Sequence, residues 1–115
     1  MKYDLKKFVK VVDELLTHCM HTFDSRRVDV TIEHDDEAFR ARFIMRDGTV
    51  DEEALATLRE KLEQERNPEL EDYYWQLAGE LENSSELDLV AMMCDDAQID
   101  YSRNVLTIQV VRKHL

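Results

Sequence analysis

Two hydrophobic periods alternate along the chain, and the switches between them divide it into elements. Over residues 3 to 23, Leu5, Phe8, Val9, Val12, Leu16, Cys19, Met20 and Phe23 recur at spacings of three and four. This is the period of an amphipathic helix with one apolar stripe. "DSRR" breaks it, and "VDVTIEH" then alternates, with Val28, Val30 and Ile32 on one face and Asp29, Thr31 and Glu33 on the other. Such alternation predicts a half-buried strand. "DD" at 35 and 36 reads as a tight turn. In "EAFRARFIMR" the residues Phe39, Ala41, Phe43 and Met45 face one way, and Arg40, Arg42 and Arg46 the other. The two runs predict a hairpin whose solvated face pairs Asp29 and Glu33 with arginines.

"RDGTVDEE" ends the second strand and opens a helix: Gly48 permits the turn, and Asp51 is the expected N-cap, with acids in the first turn. That helix is expected to reach about Arg66. Asn67 and Pro68 suit the cap and first position of another, over about 69–82, carrying Leu70, Tyr73, Tyr74, Leu77 and Leu81. "ELDLVAMMCDD" reads as a third helical segment, and "AQIDY", "SRN" and "VLTIQVVRK" as a second hairpin. The order predicts an α+β protein, a two-layer α/β sandwich with helices on one face of a mixed sheet of four or more strands. Linkers, low-complexity stretches and repeats are absent from the sequence, so residues 1–115 read as one complete domain.

Composition narrows the partners. The chain has 26 acidic and 15 basic residues, a net charge of −11, and its basic residues never run beyond two in a row. A field of that sign repels phosphate backbones and anionic headgroups, so neither nucleic acid nor membrane is an expected partner. Cys19 and Cys94 are too few for a secreted disulfide framework. "MKYDLKKFVK" lacks the apolar centre of a signal peptide, and no apolar run is long enough for a membrane span. A cytoplasmic location is the expectation.

"LLTHCMH", at 15–21, gathers metal-ligand residue types, but on a helix they diverge. Cys19 falls in the apolar stripe and is expected to pack as a small apolar residue. His18 lies four residues after Glu14, a spacing suited to a paired contact, and His21 lies near the C-terminus of the helix, where a cation is favoured. The spacing matches no standard zinc pattern, and no metal is expected.

Three strings, in order, resemble the histidine-kinase-like ATPase domain, the Bergerat (GHKL) fold. "VVDELLTHCMHTF" resembles that family's asparagine-box helix. "VDVTIEHDDEAFRARFIMRDGTVDEEALATL" resembles the following hairpin and first glycine box. "SSELDLVAMMCDDAQIDYSRNVLTIQVVRK" resembles the second glycine box, its helix and the terminal hairpin. The resemblance places Glu14 on the box glutamate and Asp47 on the acid that binds adenine. It places His18 where the family has a metal-chelating Asn, and imidazole is a poor ligand for Mg²⁺. The glycines of the first box fall at Thr49 and Asp51, and those of the second at Ser84, Glu86 and Asp88. Side chains there block the close backbone approach that cradles phosphates.

The resemblance therefore implies a stand-alone, non-catalytic Bergerat-like domain that has lost ATP binding and acts as a protein-interaction or regulatory module in bacterial signalling. Glu14, His18, Asp47, Thr49, Asp51, Glu86 and Asp88 are vestigial nucleotide positions, and no cofactor is expected. A divergent ATP-binding kinase or ATPase is the enzymatic alternative, and a structural or dimer-forming module a third. Tyr73, Tyr74 and Trp75 are candidates for contact with a protein partner, because consecutive helical residues point about 100° apart and cannot all be buried on one stripe. Asp51, Glu52, Glu53, Glu86, Asp88, Asp95 and Asp96 read as a solvated acidic surface, with a patch around the former cleft as the alternative. No nucleophile–base constellation is evident.

Overall fold

The computed structural model describes residues 2–63, 69 and 86–114. The expected helix over 69–82, the aromatic run Tyr73, Tyr74 and Trp75, and Ser84 lie outside this described set. The elements are α1 (Lys2–Thr22), β1 (Val28–His34), β2 (Ala38–Met45), α2 (Glu52–Leu62), α3 (Glu86–Met93), β3 (Asp96–Ser102) and β4 (Val105–Lys113).

The four strands form one sheet in the order β1-β2-β4-β3, and every adjacent pair is antiparallel. The expected mixed sheet is thereby corrected. The connection after β2 does return the chain to a parallel strand, β3, but β4 folds back between the two. Each hairpin is local. At β1–β2, the Asp35 carboxylate accepts the backbone N–H groups of Glu37 and Ala38 at 2.8 and 3.0 Å. At β3–β4, Arg103 and Asn104 have φ of 52° and 64°, as the two central residues of a type I′ turn require.

Burial separates the strands. On the central pair, Phe39, Ala41, Phe43 and Met45 of β2 and Leu106, Ile108 and Val110 of β4 are buried. They meet Phe8, Val11, Leu15, Cys19 and Phe23 from the first helical segment, Leu58 and Leu62 of α2, and Leu87, Val90 and Met93 of α3. The edge strands are covered less: Val28 and Val30 only pack against the margin of this core.

Four expectations about facing are corrected. Leu5, Val9 and Met20 of α1 are 53, 55 and 47% exposed, and Ile32 of β1 is 53% exposed. The helix is rotated so that Phe8, Val11, Leu15 and Cys19 face the sheet, with Val12 and Leu16 at the margin. Ile32 lies on the outermost strand, where coverage by the described helices runs out.

Asp51 caps α2 as expected, its carboxylate accepting the Glu53 N–H. The helix ends at Leu62 rather than near Arg66, with the Glu63 N–H bonded back to the Arg59 carbonyl.

Candidate functional site

The vestigial positions begin on α1. Glu14 does not pair with His18, contrary to expectation: its carboxylate lies 2.7 Å from Lys10 Nζ, one turn earlier. That orientation follows from charge, since an ammonium outcompetes an imidazole that is neutral near pH 7. Burial, helped by the neighbouring His21, lowers the His18 pKa below its ordinary value. Its Nδ1 lies 3.4 Å from the Thr22 hydroxyl, and its ring meets Phe23 edge-on, with centroids 5.8 Å apart. His18 Nε2 is buried and has no hydrogen-bond partner among the described residues. Cys19 is fully buried and His21 exposed, so the three ligand-type side chains of "LLTHCMH" diverge. Burial pushes the Cys19 thiol up to about 12, which keeps it a thiol and unreactive.

The loop after β2 folds onto the end of α1. Thr49 donates its N–H to the Phe23 carbonyl at 2.9 Å. A Cβ on Gly48 would lie 2.9 Å from that same oxygen, so glycine is required here for a close backbone approach. The Asp47 carboxylate accepts the hydroxyl of buried Ser25 at 2.8 Å. That bond, foremost, and the backbone N–H groups of Arg26 and Arg27 hold Asp47 below the usual carboxylate range. Glu14, His18, Asp47 and Thr49 are thus tied to the Phe23–Arg27 junction or to the helix entering it.

The remaining positions do not converge on that junction as one patch. Asp51 caps the start of α2, while Asp88 pairs with Lys61 at 3.2 Å near its end. Ten helical residues separate those points, about 15 Å. Glu86 opens α3, and Asp95 lies past its other end, accepting the Lys113 N–H at 2.6 Å. Asp51, Asp88 and Asp95 thus serve separately, as a cap, an ion pair and a strand-end clamp.

On the outer face of the sheet, Asp29 pairs with Arg46 and Arg27. Glu33 is in register with Arg40, yet Arg40 reaches Asp35 at 2.6 Å. The Asp35 carboxyl is lowered to about 2, first by the Glu37 and Ala38 N–H groups and then by Arg40.

Sequence reading missed two buried charges, Lys7 and Arg112. Arg112 is 1% exposed and donates to the Met93 carbonyl at 3.0 Å and to Asp4 Oδ1 at 2.9 Å, joining β4, α3 and α1. The signal was available: strand alternation puts 112 on the same face as Leu106, Ile108 and Val110. A guanidinium there satisfies a carbonyl at the end of α3, where the backbone lacks helical donors.

Among the described residues, no three His, Cys, Asp or Glu side chains are grouped to hold a metal ion. A hollow of about 480 Å³ lies between the start of α1 and the β1–β2 turn, lined by Asp4, Leu5, His34, Phe39 and His114 among others. Phe39 fills its floor, its ring centroid 4.7 Å from that of His114 and 5.6 Å from that of His34. No described helix is long and apolar enough to cross a membrane. Compared with known proteins, the chain matches no family model, no curated protein and no solved structure.

Proposed function

We propose that this chain is a non-catalytic domain of the Bergerat type that has lost nucleotide binding and regulates a signalling partner through protein contacts. The order of helix, hairpin, helices and hairpin, with the helices on one face of the sheet, supports the fold assignment. The observation that carries the loss of binding is the engagement of the nucleotide positions elsewhere. Glu14 is held by Lys10, Asp47 by Ser25, Asp51 by the first turn of α2 and Asp88 by Lys61. His18 presents a half-buried imidazole where a hard cation would require oxygen. Thr49 and Asp51 put side chains where backbone would have to approach phosphate.

Charge acts in the same direction. The net charge of −11 opposes an anionic nucleotide. Titration calorimetry and thermal melting with millimolar Mg·ATP or Mg·ADP are expected to show no heat of binding and no rise in Tm. A dissociation constant below about 100 µM that is lost in Asp47→Asn would replace this reading with a divergent ATPase.

A further inference from the structure

The large hydrophobic residues exposed among the described set are Leu5, Val9, Met20 and Ile32. Three lie along one line of α1, with half-buried Val12 and Leu16 between them, and the fourth lies on the edge strand beneath. We propose that this surface is a homodimer interface in which α1 packs antiparallel against α1 of a second copy, with Ile32 at the two-fold axis. This goes beyond the proposed function and does not rest on it.

A two-fold interface must be complementary to itself, and this one is. Leu5, Val9, Leu16 and Met20 are spaced symmetrically about the step between Val12 and Asp13. An antiparallel copy therefore sets Leu5 against Met20 and Val9 against Leu16, from each side.

The strand agrees on the position of the axis. Phe8 stacks on Phe39 at 5.2 Å, and Phe39 is in register with His34 at the end of β1. Phe23, at the other end of the helix, bonds to Thr49, just past the end of β2 that pairs with the start of β1. The helix thus runs antiparallel to β1. From Phe8 to Val12 is four helical residues and from His34 to Ile32 is two strand residues, each an advance of about 6 Å. Ile32 is level with the midpoint of the stripe.

Spacing also closes. A two-fold axis perpendicular to the sheet at the open edge of β1 sets the two β1 strands about 4.8 Å apart. The helix packs on both β1 and β2, so its axis falls about 5 Å from the two-fold and the paired helices lie about 10 Å apart, within the packing range. One operation covers the apolar stripe and the edge of β1 that no described strand pairs.

Sedimentation analysis of the full chain up to about 200 µM is expected to show a species of twice the 13.6 kDa chain mass. Leu5→Glu and Val9→Glu, at exposed positions that leave the circular dichroism unchanged, are expected to weaken association about tenfold or more. Ile32→Cys should give a covalent dimer under mild oxidation, while Glu60→Cys, exposed on α2, should not; Cys19 and Cys94 are buried and silent. A monomer throughout that range would overturn the proposal. So would a dimer that is indifferent to Val9→Glu and is not captured by Ile32→Cys.

Discussion

The ion pair between Arg112 and Asp4 gives the sharpest test of how the helical layer is fastened to the sheet. The guanidinium is 1% exposed, and the carboxylate side chain that receives it is 29% exposed. Asp4→Asn keeps the shape and removes the charge, while the Met93 carbonyl still accepts from Arg112. Breaking a fully buried pair costs about 3–5 kcal/mol, and water at the Asp4 side reduces that to about 2–3 kcal/mol at pH 7. For a domain of this size the loss corresponds to a fall in Tm of roughly 10 °C. Hydrogen bonding to Arg112, foremost, holds the Asp4 carboxyl below its ordinary value in the folded state. A depressed folded pKa means that the contribution is complete above the unfolded pKa, about 3.9, and disappears as pH falls through the folded value. The stabilities of the parent and Asp4→Asn proteins, measured by urea unfolding followed by circular dichroism, should be separated at pH 7 and converge as pH falls below about 4. Asp35 and Asp47 also titrate low, but they are common to both proteins and cancel in the difference. A separation under about 0.5 kcal/mol at pH 7, or one that does not narrow as pH falls below about 4, would refute the role given to this pair.

Phe43 is fully buried at the centre of the sheet, so Phe43→Ala should lower the urea-unfolding free energy by roughly 3–5 kcal/mol, and a loss below about 1 kcal/mol would place it outside the core. Gly48→Ala pits a gain of about 0.4–1 kcal/mol from a stiffer unfolded chain against the clash with the Phe23 carbonyl, which breaks the approach that Thr49 needs. Net destabilisation of about 1–2 kcal/mol is expected from the same assay, and a rise in stability would show that the loop moves aside freely.

Local pattern carried most of the fold. The alternation of Phe39 to Met45 gave β2 and its buried face, "VLTIQVVRK" gave β4 without its facing, and Asp51 gave the start of α2. Neighbours were not legible. Nothing local to β3 says that β4 will fold back between it and β2, and that insertion makes the sheet antiparallel throughout. The partners of charged groups were also obscure, because a carboxylate has several cations within reach along one chain. Glu14 could face His18 or Lys10, and Arg40 could face Glu33 or Asp35; the choice depends on side-chain direction and on burial. The separation of Asp51 from Asp88 along α2 depends in the same way on the path of the chain, which spacing in sequence does not give.

The misreading of α1 has a physical cause that bears on what the surface is for. The stripe read from sequence mixed two sets of residues. Phe8, Val11, Leu15 and Cys19 face the core, and Leu5, Val9, Val12, Leu16 and Met20 lie about 100° around the helix. Both sets recur at spacings of three and four, so periodicity alone cannot rank them. A helix that covers a single sheet needs an apolar arc of little more than 100°. This one is apolar over nearly twice that width, while its remaining face carries Lys6, Lys10, Asp13 and Thr17. Within one chain Val12 and Leu16 reach only the margin of the core, and Leu5 and Val9 remain more than half exposed. An apolar arc wider than one core can use is the signature of a helix that serves two interfaces at once. On this reading the ambiguity in the sequence was itself information: a second packing surface was written beside the first, on the side where the sheet ends.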